Sequence, residues 1–226
     1  MYYKGFNKDM TCKGFQYEKG KEYHEKKAIV CRKGFHACEY PLDCFNYYNP
    51  ADSVFHEVEL GEDAYGDGSD TKKCSNYIKV GARLDIAGII KAAINYTREN
   101  CVDGKSAVNW SALSGGHQSA LSGGDWSALS GGHQSALSGG DWSALSGGHQ
   151  SALSGGYRSA LSGGYQSVLR GGEECKYRGG MWSVFAAEIW NNGRIISIKT
   201  AVVDGESIKP DTWYQFDGKE FIKSNE

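Results

Sequence analysis

The sequence predicts an α+β domain followed by a β-solenoid built from two-strand, sixteen-residue coils and closed by a β-rich C-terminal cap. Three observations predict it. An octapeptide recurs almost without change between Asn109 and Gly180, each copy ends in Gly-Gly, and the stretches before and after it are non-repetitive and of mixed composition. A fixed short period means stacked units that bury their apolar side only against their neighbours. The two variable positions alternate: Asn/Asp-Trp opens the copies at 109, 125 and 141, and His-Gln opens those at 117, 133 and 149, so the true unit is sixteen residues. Sixteen residues are too few for a helical hairpin repeat, and Gly-Gly at every eighth position opposes a continuous helix. Two short strands joined by two Gly-Gly corners fit.

The 226 residues divide in sequence into 1–106 (α+β), 107–180 (solenoid) and 181–226 (cap). In the first segment Tyr2–Phe6, Ala28–Cys31, Val54–Leu60 and Tyr77–Leu84 are predicted strands, the first and third with period-two alternation. Pro41 suits the first position of a helix running through Leu42, Phe45 and Tyr48. A second helix is capped by Asp85 and carries Ile86, Ile89, Ile90, Ala93 and Ile94 on one stripe. Gly61–Ser69, rich in Gly and Asp, is a loop.

Within each repeat, strand alternation places Ser111 and Leu113 on one face and Trp110, Ala112 and Ser114 on the other. Leucine is the only constant large apolar residue, so it points inward. Coils stacked at about 4.8 Å set Trp110, Trp126 and Trp142 in one outward ladder, extended by Arg158. Gln118, Gln134, Gln150 and Gln166 form a second ladder opposite. An open solenoid end would present unpaired strand edges. The strands expected at Ile195–Val203, Trp213–Phe216 and Glu220–Lys223, joined by turns at Asp204-Gly205 and Asp217-Gly218, cap one end, and the N-terminal domain closes the other.

Composition excludes several functions. The formal charge is -2 and the pI about 6.3, which gives no overall pull toward nucleic acid or anionic membrane. From Asn109 to Gly172 only Asp125, Asp141, Arg158 and Arg170 are charged, too few for a mimic of DNA or a phosphate-binding face. Seven cysteines, at 12, 31, 38, 44, 74, 101 and 175, show no CxxC pair. With no stretch resembling a signal peptide or a membrane span, they read as free thiols of a cytoplasmic protein. Cys31, His36, Cys38 and Cys44 lack regular zinc spacing, and no cofactor is implied. The Asn/Asp and His columns read as hydrogen-bonding corner residues, since calcium-binding β-rolls use a different period.

One enzymatic reading competes. Tyr3-Lys-Gly-Phe6, Gly20-Lys-Glu-Tyr23, Gly34-Phe-His-Ala-Cys38, a helix with Tyr47-Tyr48, and Phe55-His-Glu-Val-Glu-Leu60 follow one another in an order that resembles the early layout of ADP-ribosyltransferase-type domains. The resemblance implies NAD-dependent transfer, with His36, Tyr47, Glu57 and Glu59 at the site. The first strand carries no histidine or arginine of the kind such domains use. Without that chemistry, Glu57-Val-Glu59 is a strand with an exposed acidic face.

Longer strings resemble an uncharacterised family of phage and prophage proteins. They are Tyr3-Lys-Gly-Phe-Asn-Lys-Asp9, Gly34-Phe-His-Ala-Cys-Glu-Tyr-Pro-Leu-Asp43, Phe45-Asn-Tyr-Tyr48, the Ser-Ala-rich repeats and Val203-Asp-Gly-Glu-Ser-Ile-Lys-Pro-Asp-Thr-Trp-Tyr214. The resemblance implies a phage context, the host cytosol as location, and a binding protein that inhibits a host macromolecule. The leading expectation is a non-enzymatic interaction protein. Its solenoid, through Trp110, Trp126, Trp142, Arg158, Gln118, Gln134 and Gln150, docks a protein partner or a second copy. A structural phage component is the remaining alternative.

Overall fold

In a computed structural model, described for residues 1–68, 71–101 and 103–224, the chain forms two compact units, Met1–Ala92 and Ala93–Glu226. The first is built on a six-stranded antiparallel sheet. Its order across the sheet is Glu22–His24, Tyr77–Leu84, Ser53–Leu60, Tyr2–Asn7, Phe35–Cys38 and Lys72–Ser75. Phe6, Phe35, Val54, Val58, Ile78 and Val80 make its core, with Tyr17 packed among them. A small hairpin, Thr11–Cys12 with Phe15–Gln16, turns at Lys13 and Gly14, whose φ values of 49° and 78° are left-handed.

Several sequence expectations shift here. Phe35–Cys38, Lys72–Ser75 and Glu22–His24 are short, and charged or small residues interrupt their apolar pattern, so periodicity does not reveal them. Ala28–Cys31 is not a strand; it is a turn held by a single bridge between Ile29 and Lys33. The Pro41 helix is a tight 3-10 helix, Pro41–Asn46, ending before Tyr48. The second helix spans Ile86–Glu99, and Asp85 Oδ1 accepts the Gly88 amide at 2.7 Å, the cap the sequence calls for.

The second unit is a β-solenoid of about 5 coils. Its two parallel sheets pair strands in registers of sixteen: Leu113 with Leu129, Leu129 with Leu145, and Leu121 with Leu137, Leu137 with Leu153. Asp103–Ser106 already pairs with Ser119–Ser122, so the sheets begin before the repeat does. From Leu121 to Leu161 the repeat leucines are no more than 2% exposed, and Leu113 in the first coil is half-covered. The serine two residues before each leucine also points inward. Ser135 and Ser151, fully buried, bond through Oγ to the Gly116 and Gly132 carbonyls at 3.3 Å, which satisfies the hydroxyls.

The corners turn on one defined residue. The left-handed residue is not glycine but the residue two positions after it: φ is 59° at Trp126, 58° at Gln134 and 56° at Trp142. The glycines serve space instead. A Cβ on Gly131 would stand 2.7 Å from Ser135 Cβ inside the coil, and one on Gly132 would stand 2.9 Å from the Gly116 carbonyl one coil away. A left-handed L-residue costs about 1–2 kcal/mol, so each corner must recover that cost from its stacking. The amides do so in part: Trp126 N–H donates to Asp141 O and Gln134 N–H to His149 O, both at 2.8 Å.

The C-terminal edge is closed on both sheets. Arg194–Val202 pairs antiparallel with Val184–Asn191 around an Asn192-Gly193 turn, and Tyr214–Phe216 pairs with Lys176–Gly179. Tyr177, Phe185, Val203, Ile208 and Tyr214 plug the end of the leucine column. Among the described residues, no helix is long and apolar enough to cross a membrane.

Candidate functional site

Two regions hold the residues singled out by sequence. The first is the corner of the solenoid that carries tryptophan. Trp110, Trp126 and Trp142 stack with centroids 5.0 Å apart and ring planes within 2°. The separation is one coil, so the rings overlap as an offset stack. Their exposures are 75%, 46% and 41%. Arg158 ends the ladder with its guanidinium 4.8 Å from the Trp142 ring, and it pairs with Glu174 at 2.5 Å. Because the indole faces lie against one another, the ladder offers ring edges to solvent, except at Trp110, whose outer face begins the stack. The backbone beneath is held by side-chain oxygens: the Asn109 amide oxygen Oδ1 accepts the Asp125 amide and the Asp125 carboxylate Oδ1 the Asp141 amide, each at 2.9 Å. These side chains are therefore structural corner bonds. Next to the ladder, Ala112, Ser114, Ala128, Ser130, Ala144 and Ser146 form an exposed strip without charge.

The glutamine corner is arranged differently. Gln118, Gln134 and Gln150 are half-buried and bonded amide to amide at 3.5 and 3.2 Å, and Gln166 is buried. The end of the helix lies along this corner. Thr97 Oγ1 donates to Gln150 O at 3.4 Å, and Cys101 Sγ approaches Ser119 O at 3.4 Å and Gln134 O at 3.9 Å. The glutamines thus sit under a cover supplied by the chain itself, whereas the tryptophans do not. Beside them runs a histidine column: His133 stacks on His149 at 4.6 Å, and His117 meets His133 at 4.8 Å with its ring tilted by 55°. Loss of hydration lowers the His133 pKa, and the flanking His149 and His117 lower it further.

The second region is a cavity of about 560 Å³ in the N-terminal unit. Tyr3, Lys4, Lys13, Phe15, Tyr17, His36, Tyr47, Tyr48 and Lys72 line it, and among the described lining residues Glu25 is the one carboxylate. Sequence reading placed His36 and Tyr47 at a site, and the structure brings both to this cavity. Glu57 and Glu59, on the strand Ser53–Leu60, are not among its lining residues, so the four residues expected to act together are separated. Lys4, Lys13 and Lys72 were not foreseen. Lys4 and Lys72 are far apart in sequence and come together because Tyr2–Asn7, Phe35–Cys38 and Lys72–Ser75 are adjacent strands, and Lys13 is supplied by the turn of the Thr11–Cys12/Phe15–Gln16 hairpin. Among the described residues, no three His, Cys, Asp or Glu side chains cluster to hold a metal, and all seven cysteines are free thiols.

Residues 1–92 match the model of a domain family of unknown function, DUF7666, and the matched span coincides with the N-terminal unit. No curated protein and no solved structure matches the chain.

Proposed function

We propose that this is a non-enzymatic interaction protein whose solenoid docks a protein partner along the tryptophan corner. The observation that carries the reading is the contrast in cover: three exposed, parallel indoles border an uncharged Ala/Ser strip, while the matching glutamine corner is roofed by the chain's own helix. Contiguous exposed aromatics on a soluble protein mark interaction surfaces, and buried Trp commonly dominates interface energy. The mutual stacking of the indole faces disfavours sugar binding on the ladder, because a sugar would need those faces. A protein groove contacts edges and N–H groups equally well. The phage-like strings in the sequence point to a host macromolecule as the partner and to inhibition as the outcome. Free thiols fit work in the host cytosol.

The test is the triple variant Trp110→Gln, Trp126→Gln, Trp142→Gln, which copies the opposite corner. Stacked aromatics contribute about 0.5–1.5 kcal/mol per pair beyond area, so the variant should melt a few degrees lower yet keep its β-sheet circular dichroism. Expected is loss of the partner that wild type retains from a host lysate, identified by mass spectrometry, or loss of self-association in sedimentation. A folded variant that keeps the same partner would overturn the reading. It would turn attention to the edge strand Arg194–Val202, where Ile195, Ile196 and Ile198 are exposed.

A further inference from the structure

The cavity of the N-terminal unit carries chemistry that the solenoid reading does not use. Lys4 is 7% exposed, yet its ammonium has only the His36 carbonyl, at 2.9 Å, as a hydrogen-bond acceptor, with the Phe6 and Tyr17 rings at 5.4 and 5.9 Å. Among the described residues no carboxylate pairs with it. A buried cation ordinarily has an anionic partner. Here the cavity beside it is also lined by Lys13 and Lys72, and among the described lining residues the one carboxylate is Glu25, itself 3.5 Å from Lys33. The imidazole of His36 registers this field: desolvation lowers its pKa, and Lys4, Lys13 and Lys72 each lower it further. Its Nε2 accepts the Cys31 amide at 2.9 Å, so Nδ1 carries the proton of the neutral ring.

The walls are aromatic. Phe15 and Tyr47 are each 46% exposed, and Tyr3, Tyr17 and Tyr48 complete the lining. Lys72 Nζ donates to Tyr47 Oη at 2.9 Å and lies 4.7 Å from its ring centroid, so the cationic and aromatic halves of the cavity meet there. Exposed rings next to convergent cations form a stacking surface beside an anion site. The volume of about 560 Å³ falls within the range of small-molecule pockets, roughly 300–1,000 Å³.

We propose that this cavity binds a nucleoside phosphate, with the phosphate against Lys4, Lys13 and Lys72 and the base against Phe15 and Tyr47. No bond is made or broken: the separation of Glu57 and Glu59 from the cavity leaves it without the carboxylates the transferase reading requires, and recognition is sufficient.

The experiment is calorimetric titration of the full chain with the four common ribonucleoside monophosphates, their parent nucleosides, and inorganic phosphate. Expected is a dissociation constant at or below about 100 μM for at least one monophosphate, with its nucleoside and inorganic phosphate each bound at least tenfold more weakly. Lys13→Met with Lys72→Met, both away from the buried core, should weaken that monophosphate at least tenfold while melting and circular dichroism stay as in wild type. Tyr47→Ala should weaken the monophosphate without changing the weak binding of inorganic phosphate. Hydrogen exchange on addition of the monophosphate should slow at Phe35–Cys38 and leave Ala144–Gly147 of the solenoid unchanged. Phosphate bound as tightly as every monophosphate would overturn the base-stacking half. Absence of binding by all four monophosphates, or binding unaffected in the folded lysine variant, would overturn the proposal.

Discussion

Two corners of one solenoid, eight residues apart in sequence, show how a repeat can be uniform inside and divided outside. The interior does not distinguish them. Leu129 on the tryptophan side and Leu137 on the glutamine side are each 2% exposed, and Ser127 and Ser135 are equally buried. Both corners place an L-residue at φ near 60°. They diverge only in what lies over them. Thr97, in the last turn of the helix, and Cys101, just past its end, bond to backbone carbonyls of the glutamine corner, and Ala93 lies one turn before Thr97 on the same helix face. The amide chain Gln118-Gln134-Gln150-Gln166 satisfies itself beneath that cover, as half-buried polar groups must. Indoles need no such partner, and three of them are left in solvent. The core therefore fixes the coil, and the alternating pair of residues decides which side stays available.

The largest effect should come from breaking what the corners share. Leu137→Ala removes a fully buried side chain from the continuous leucine column, and such a cavity costs about 2–4 kcal/mol. The loss should appear as a lower melting temperature for the whole second unit. Exchange at the Trp126 and Gln134 amides should rise together. A variant that melts like wild type would mean the column does not bear on stability.

A smaller and one-sided effect should come from Ala93→Arg. Ala93 is fully buried on the face of the helix that meets the glutamine corner. Forcing a guanidinium there costs about 2 kcal/mol unless the helix end lifts away. Lifting would expose the corner, so exchange should accelerate at the amides of Gln134 and Gln150 and stay unchanged at Trp126 and Trp142. Equal acceleration on both sides would show that the cover is not specific to one corner.

How much of this was legible in the sequence follows from which forces are local. Period, coil length, the inward leucines and the tryptophan ladder all follow from side-chain size repeated at a fixed spacing, and they read directly. The left-handed corner residues did not, because Trp and Gln carry no propensity for that region, and the adjacent Gly-Gly serves close packing. The Asn192-Gly193 hairpin is a turn signal the chain does display, between two apolar runs. In the N-terminal unit the central strands and both helices were legible from alternation, caps and Pro41. The cavity was not. Lys4 and Lys72 acquire their meaning only when strands far apart in sequence share a sheet and the turn of the small hairpin brings Lys13 to them, and Glu57, well placed in sequence order, falls on the strand across Tyr2–Asn7 from His36 and outside the cavity lining.

The smallest effect separates the corners by their first residue, Asn/Asp on one side and His on the other. Asp125 Oδ1 accepts the Asp141 amide of the next coil at 2.9 Å. The histidines form a column in which His133 sits between a tilted His117 and a stacked His149, with its pKa held below the ordinary 6.5 by desolvation and then by its two neighbours. A group with a lowered folded pKa takes up its proton more readily in the unfolded chain. Stability is therefore unaffected above about pH 7, begins to fall as pH drops through 6.5, and stops falling once pH is below the folded pKa. His36 and His56 shift in the same direction, so wild type should lose stability in acid from both units. His133→Gln removes only the central charge of the solenoid stack. Because these rings are largely exposed and screened, the gain should be about one degree in melting temperature at pH 5.5, with none at pH 7.5. Exchange measured at both pH values should place that gain at the Gln118 and Gln134 amides, while the Trp110 and Trp126 amides show no difference. An equal pH slope in the variant would mean that the stacked imidazoles do not repel and that the acid sensitivity belongs to the N-terminal unit alone.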